Sequence, residues 1–217
     1  APGQVIPRGT IVMRDGLIAA VGADVAVPPD ARIWPGDSLT VYAGLIDAMV
    51  LPADAAAGPR PGGGPGGPPA AAAEPARGAA ASISSVRPEY RVVENLALTS
   101  DQLESLRAAG FTAAQVAPRR GILRGSSAVV ALGDGALNVN TLVGDAAQVV
   151  AIEPTPQAYP GSLMGAIALI RQAFLDAKWY RDAQTAYARK PASTERPETN
   201  LSHAALQGAI AGTQPVL

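Results

Sequence analysis

The group with the clearest chemical potential is a single acid inside an apolar run. The stretch LTVYAGLIDAMVLP, residues 39–52, contains one carboxylate, Asp47. A buried carboxylate is costly unless it accepts hydrogen bonds. The favoured interpretation is that Asp47 accepts backbone N–H groups and fixes the loop after a strand. The alternative is a metal ligand or a general base, and the neighbouring residues offer no partner for either role.

Other groups that act in catalysis are few. His203, the only histidine, lies on a short amphipathic segment and is interpreted as a surface or helix-packing residue, because no nucleophile or acid accompanies it. A histidine-based metal site is disfavoured, since such sites usually use two or more imidazoles. The chain has no cysteine, which excludes disulfides, thiolate metal sites and cysteine nucleophiles. The residues alone identify no catalytic residue, no cofactor-binding residue and no metal ligand.

The remaining polar candidates have structural interpretations. Ser126 and Ser127 follow Gly125, but a nucleophile elbow requires the pattern Gly-x-Ser-x-Gly between a strand and a helix. Asp134 is interpreted as a turn residue and Glu153 as a strand-end residue. Three arginines could hold an anion at a loop, although solvated loop charge is favoured: Arg119, Arg120 and Arg124.

Composition limits the class of protein. The chain has 217 residues, 48% of them hydrophobic, and a formal net charge of -1. This length suits one large domain or one and a half small ones, with a core built from aliphatic side chains because aromatic residues make up only 4%. The charge balance does not fit a nucleic-acid partner. No apolar run reaches the roughly 18 residues of a membrane helix, so no membrane partner is expected either.

Local patterns predict alternating strands and helices. Asp15-Gly16 between two β-rich runs predicts a hairpin over residues 10–22, and further short strands are expected in residues 31–47 around a Pro35-Gly36 turn. Thr99 with Gln102 predicts a capped helix that ends at Gly110 and leads into a strand at 111–116.

The second half continues this alternation. A loop is expected at residues 121–127, with strands at 128–132, 137–143 and 147–154. Ser162 is expected to cap a long helix that ends near Ala188, and Asn200 a last short helix over 201–212. Residues 214–217 are expected to begin a strand.

A Pro/Gly/Ala-rich insert interrupts the chain at residues 52–88. It lacks apolar periodicity and is predicted to be flexible, because it cannot bury enough surface to offset its ordering entropy. Its clustered glycines alternate with prolines and lack the lysine of a phosphate-binding loop.

Three stretches together carry a family resemblance: GTIVMRDGLIAAVG at 9–22, VPPDARIW at 27–34 and LTVYAGLIDA at 39–48. They resemble the amidohydrolase superfamily, in particular its imidazolonepropionase-like branch. The resemblance implies an α/β fold. A small β-sandwich segment over residues 1–42 would precede the first part of an incomplete TIM-type barrel over residues 43–217, which carries the insert at 52–88.

The resemblance also implies a departure at the metal site. Two metal-binding histidines of the family would fall at Met49 and Leu51, which offer no imidazole nitrogen. The implied function is an amidohydrolase-like protein with a degenerate metal site, non-catalytic in this segment and acting in binding or assembly. The alternative is a metal-dependent hydrolase of carbon–nitrogen bonds in cyclic amides or dipeptides, with ligands beyond residue 217. An unrelated β-rich interaction domain would lack the strand–helix alternation.

Cofactor, partner and location follow from the same resemblance. No cofactor is expected from this segment, and zinc or another divalent metal only if later ligands exist. The expected partner is the remainder of the barrel or a homologous subunit. The resemblance favours a periplasmic or secreted location, which the residues themselves do not specify.

Overall fold

The computed structural model describes residues 5–52, 83–154 and 159–217. The chain divides into two compact units, residues 1–43 and residues 44–217. Both strands and helices are present, so the class is mixed α/β. Among the described residues the strands form open sheets and no closed barrel.

The first unit contains a two-stranded antiparallel sheet of β1 (Thr10–Arg14) and β2 (Leu17–Gly22). Asp15 and Gly16 connect the strands with φ angles of 53° and 76°. Two positive φ angles in a two-residue loop are the requirement of a type I′ turn, which suits Asp-Gly. The predicted hairpin is therefore confirmed.

The expected strands between residues 31 and 44 are not formed, so this prediction was wrong. Residues 31–44 contain no strand. In the turn that follows Pro35, the N–H of Leu39 donates to the carbonyl of Gly36 at 3.0 Å. Strand-forming residues need a partner strand to pack against, and this segment pairs with none in the described part of the unit.

The described residues of the second unit form six strands in two sheets. Their bounds are β3 (Leu45–Val50), β4 (Phe111–Val116), β5 (Leu123–Ser126), β6 (Ala128–Ala131), β7 (Thr141–Val143) and β8 (Gln148–Val150). One sheet has the order β3-β4-β6-β7, in which only the β3–β4 pair is parallel, and the other is the antiparallel pair of β5 and β8.

Helix α1 (Ser100–Ala108) lies between β3 and β4 in the chain and is capped as predicted. The Thr99 side chain accepts the N–H of Gln102 at 3.2 Å, and the Gln102 side chain accepts the N–H of Thr99 at 3.1 Å. Gly110 ends the helix with a φ of 90°. The parallel strands on either side make this segment a β-α-β unit.

Two expectations were wrong for the region of the smaller sheet, which is the pair of β5 and β8. Residues 123–126, predicted to be loop, form β5, because β8 supplies a partner for their backbone. Residues 83–88, assigned to the flexible insert, are packed, and Val86 bridges Leu123 and is buried. The rest of the predicted flexible insert, residues 53–82, lies outside the described residues.

The end of the chain extends the same sheet. The N–H of Gln148 binds the carbonyl of Pro215 at 2.9 Å, and the N–H of Leu217 binds the carbonyl of Gln148 at 2.8 Å. Val216 bridges Gln148 in parallel orientation. The expected strand at residues 214–217 is thus present only as an isolated bridge to β8 and not as a strand of its own.

Three helices precede that end: α2 (Leu163–Arg189), α3 (Leu201–Ala205) and α4 (Gln207–Ile210). Ser162 caps α2 and Asn200 caps α3, as predicted. The last helix was expected to be continuous over 201–212 and is two short helices that meet at Leu206. A 3₁₀ helix also occurs at Val92–Asn95. No helix in the described ranges combines the length and apolarity that crossing a membrane requires.

Among its described residues, the second unit has two apolar core clusters. The first joins α2 to the smaller sheet through Val86, Ile122, Leu123, Ala166, Leu169, Ala173, Ala177 and Leu206. The second joins the larger sheet to the segment before α1 through Val92, Leu98, Ala114, Val116, Ala128, Val130 and Leu132. Small and aliphatic side chains dominate both, as the composition predicts.

Candidate functional site

The candidate site lies at the carboxyl end of β3, where β4 ends beside it. Asp47 pairs with Ala114 and Val50 with Val116, so three steps on β3 match two on β4. An extra residue of this kind is a local irregularity that interrupts strand alternation. Beyond the strands, the N–H of Ala117 binds the carbonyl of Val50 at 2.9 Å.

Asp47 fixes the backbone at this irregularity. It is half-buried, and its Oδ1 accepts the N–H of Met49 at 3.0 Å. A side chain that accepts the N–H two residues on forms an Asx turn. The interpretation that Asp47 accepts a backbone N–H is therefore confirmed.

Met49 lies on β3, and Leu51 directly follows the strand. Met49 is 52% exposed, and Leu51 is half-buried immediately after the last residue of β3. The carbonyl of Leu51 accepts the amide of Gln102 at 3.4 Å, and the carbonyl of Pro52 accepts Nη1 of Arg119 at 3.4 Å. Hydrogen bonds from the side chains of Gln102 and Arg119 to two backbone carbonyls thus hold the chain in place at the end of β3.

His203 lies on α3, in the same unit. Its ring packs against Tyr180 of α2 with a centroid separation of 5.7 Å. The interpretation as a helix-packing residue is confirmed. Within the described ranges, no group of three or more histidine, cysteine, aspartate or glutamate residues is arranged to hold a metal ion.

Arg124 departs from its interpretation as solvated loop charge. It lies on β5 and is only 8% exposed. Its Nη2 binds Glu153 at 2.7 Å and its Nε binds the carbonyl of Gly121 at 3.0 Å. Burial of a guanidinium requires such partners. Glu153, interpreted only as a strand-end residue, supplies the opposite charge.

The other polar candidates keep simpler roles. Asp134 is exposed and accepts Nη1 of Arg107 at 3.3 Å. Ser126 lies on β5. Ser127, which is fully buried, accepts the amide of Gln115 at 2.8 Å and donates to the carbonyl of Ala147 at 3.2 Å. Ser126 and Ser127 therefore have structural roles in the sheets.

A charged cluster that the sequence analysis did not identify joins Arg91, Asp145 and Ser126. Nε of Arg91 binds Oδ1 of Asp145 at 2.8 Å, and the hydroxyl of Ser126 donates to the same oxygen at 2.8 Å. Both bonds lower the pKa of Asp145, with the Arg91 hydrogen bond as the largest cause, and the hydrogen bond to Asp145 raises the pKa of Arg91. Because Arg91 and Asp145 are 54 positions apart, no local sequence pattern could reveal that they pair.

The comparisons with known proteins bear on the fold. No family model and no curated protein matches the sequence. A solved structure that does match is the crystal structure of an amidohydrolase from Thermotoga maritima MSB8, with a TM-score of 0.71 and 17% sequence identity. The match covers 95% of this chain and 52% of that chain, so this chain spans about half the length of the solved structure. The described α/β arrangement is therefore an amidohydrolase-like fold.

Proposed function

We propose that this chain is an amidohydrolase-like protein of the imidazolonepropionase-like branch with a degenerate metal site. Its role would be binding or assembly, and this segment would be non-catalytic. The observation that carries the proposal is the pair Met49 and Leu51 at the carboxyl end of β3. In TIM-type barrels the active site lies at this end of the strands.

The barrel is part of the same proposal. The β3-α1-β4 unit has two parallel strands joined through a helix, which is the repeating element of a TIM-type barrel. Residues 43–217 would form the first part of the barrel and residues 1–42 a β-sandwich segment. The matching amidohydrolase is about twice as long as the matched region, which supports the remainder of a barrel or a homologous subunit as the partner.

The chemistry of the two side chains supports a non-catalytic role. Val50 packs against the core cluster of the larger sheet. Met49 and Leu51 flank Val50 in the chain, and we propose that both side chains face away from this cluster. A thioether is a weak, soft ligand and an isobutyl group is none, whereas zinc in hydrolases prefers imidazole and carboxylate.

The alternative is a metal-dependent hydrolase of carbon–nitrogen bonds in cyclic amides or dipeptides, with ligands beyond residue 217. The likeness to a structure named amidohydrolase, of which the chain spans about half, favours keeping this alternative. A divalent metal would then activate water for attack on the amide carbon.

Metal analysis of the full-length protein, purified after growth with added zinc, separates the two proposals. Mass spectrometry of the metal content is combined with hydrolysis assays on a cyclic amide and a dipeptide. The degenerate-site proposal expects substoichiometric zinc and no turnover. Stoichiometric zinc together with hydrolysis that a chelator abolishes would establish the alternative.

A further inference from the structure

Helices α2 and α3 border a cavity of about 180 Å³ that no part of the proposed barrel site uses. Its apolar wall comes from both helices and from the packed segment before the 3₁₀ helix, through Val86, Leu169 and Leu206. All three belong to the buried cluster between α2 and the smaller sheet. The apolar wall is therefore built on fixed core residues.

The polar wall carries negative charge. Asp176 of α2 lines the cavity, and its Oδ1 accepts the amide of Gln172 at 2.6 Å. Ser202 of α3 also lines it and donates its hydroxyl to Oε2 of Glu89 at 2.7 Å. No lysine or arginine lines the cavity, and neither carboxylate forms an ion pair within the described ranges.

His203 completes the polar wall. Its backbone N–H binds Asn200 and its ring packs on Tyr180, but no hydrogen bond of the ring nitrogens is found in the described part of the chain. A neutral imidazole offers one acceptor nitrogen and one donor. The cavity thus combines acceptors for a donor-rich cationic head with an apolar wall for its body.

We propose that this cavity binds a small organic amine, with its ammonium group on Asp176 and its apolar body against Val86, Leu169 and Leu206. An apolar cavity of about 150 Å³ accommodates benzene, so a ring with one short aminomethyl arm is the appropriate size. An ammonium group donates three hydrogen bonds to such acceptors. The proposal does not depend on the state of the metal site at β3.

The test is a ligand-observed NMR titration of the full-length protein with benzylamine and with benzyl alcohol, which has the same shape without the charge. We expect saturable binding of benzylamine and at least about tenfold weaker binding of benzyl alcohol, because hydrogen bonds to charged groups are the stronger ones. The proposal would be overturned if benzylamine showed no saturable binding up to about 10 mM, because any binding too weak to detect at that concentration has negligible affinity.

Variants on α2 locate the bound amine. Asp176→Asn keeps the size of the side chain and is expected to weaken benzylamine at least about tenfold while leaving benzyl alcohol unchanged. The matched control is Asp182→Asn, because Asp182 lies on the same helix, pairs with Arg181 and does not line the cavity. Thermal unfolding of both variants verifies that they fold. Equal weakening by both variants, or by neither, would contradict binding at Asp176.

Discussion

Arg91 and Asp145 form a two-point ion pair across 54 positions of the chain. Nε of Arg91 binds one carboxylate oxygen at 2.8 Å, and Nη2 binds the other. The hydroxyl of Ser126 on β5 donates to the first oxygen as well. The pair therefore ties the residue before the 3₁₀ helix to the turn between β7 and β8 and to the smaller sheet.

The first prediction concerns the pH dependence of this pair. Arg91 and Ser126 lower the pKa of Asp145 below its usual 3.8, so the carboxylate contributes stability above the unfolded-state pKa. That contribution is lost as pH falls through the lower folded-state pKa. Asp145→Asn is expected to cost about 1 kcal/mol of unfolding free energy at pH 7, a value discounted because both side chains are nearly half exposed. Urea unfolding across this pH range measures the difference, which should vanish on the acid side.

The control is the pair of Arg14 and Asp30 in the first unit, at 2.8 Å with both side chains mostly exposed. Asp30→Asn is expected to cost less than about 0.5 kcal/mol, since exposed ion pairs are screened by water. An equal cost for the two variants would contradict the special role of the Asp145 cluster.

The second prediction concerns Gly125 on β5. Its φ is 103°, and a Cβ there would lie 2.1 Å from the carbonyl oxygen of Tyr90. Gly125→Ala must therefore move backbone and is expected to cost more than about 3 kcal/mol, or to prevent folding. Chemical denaturation measures the cost.

Gly135 is the matched control, because its φ of 114° is similarly positive and its nearest neighbour lies 4.0 Å away. Gly135→Ala isolates the backbone strain, about 1–2 kcal/mol. If Gly125→Ala were no more destabilising than Gly135→Ala, the close approach of Tyr90 would be refuted.

The third prediction concerns the capping box of α1. Thr99→Ala removes the acceptor for the N–H of Gln102 and is expected to cost about 1 kcal/mol of unfolding free energy. Ser100→Ala, one position into the helix, is expected to change it by less than about 0.5 kcal/mol. Urea unfolding monitored by far-ultraviolet circular dichroism compares the two. A larger loss for Ser100→Ala would show that the helix begins one residue later.

The fourth prediction tests the proposed degenerate metal site by introducing histidines at the end of β3. The double variant Met49→His with Leu51→His is expected to bind zinc at least about tenfold more tightly than the single variant Met49→His, because two imidazoles on one face chelate one ion. Competition with a colorimetric zinc indicator measures both affinities. Equal affinities would mean that the irregularity at β3 separates the two side chains and would remove the main support for a former metal site.

Features fixed by neighbouring residues were predictable from the sequence. The Asp15-Gly16 turn needs only two adjacent residues that tolerate positive φ, and the caps at Thr99, Ser162 and Asn200 need only a side chain three positions before its donor. The same holds for Asp47, whose acceptor role involves the N–H of Met49 two residues on.

Features fixed by distant residues were not predictable. Residues 123–126 have the glycine and serine of a loop and become a strand because β8 pairs with them. Arg124 is buried because Glu153, 29 positions away, supplies its charge partner. Conversely, the β-rich residues 31–44 remain without a strand, since propensity alone does not provide a partner.

The parallel pairing of β3 with β4 has a consequence for the order of assembly. Leu45 and Thr112 meet although they are 67 positions apart, whereas β4, β6 and β7 pair through much shorter connections. The entropic cost of closing a loop rises by only about 0.6 kcal/mol per doubling of its length, so the long separation between β3 and β4 costs little stability. Contacts between residues this distant in sequence nevertheless form slowly. We expect the antiparallel strands to assemble early and β3 to dock onto a preformed template, which makes the end of β3 the last part of the sheet to acquire its shape.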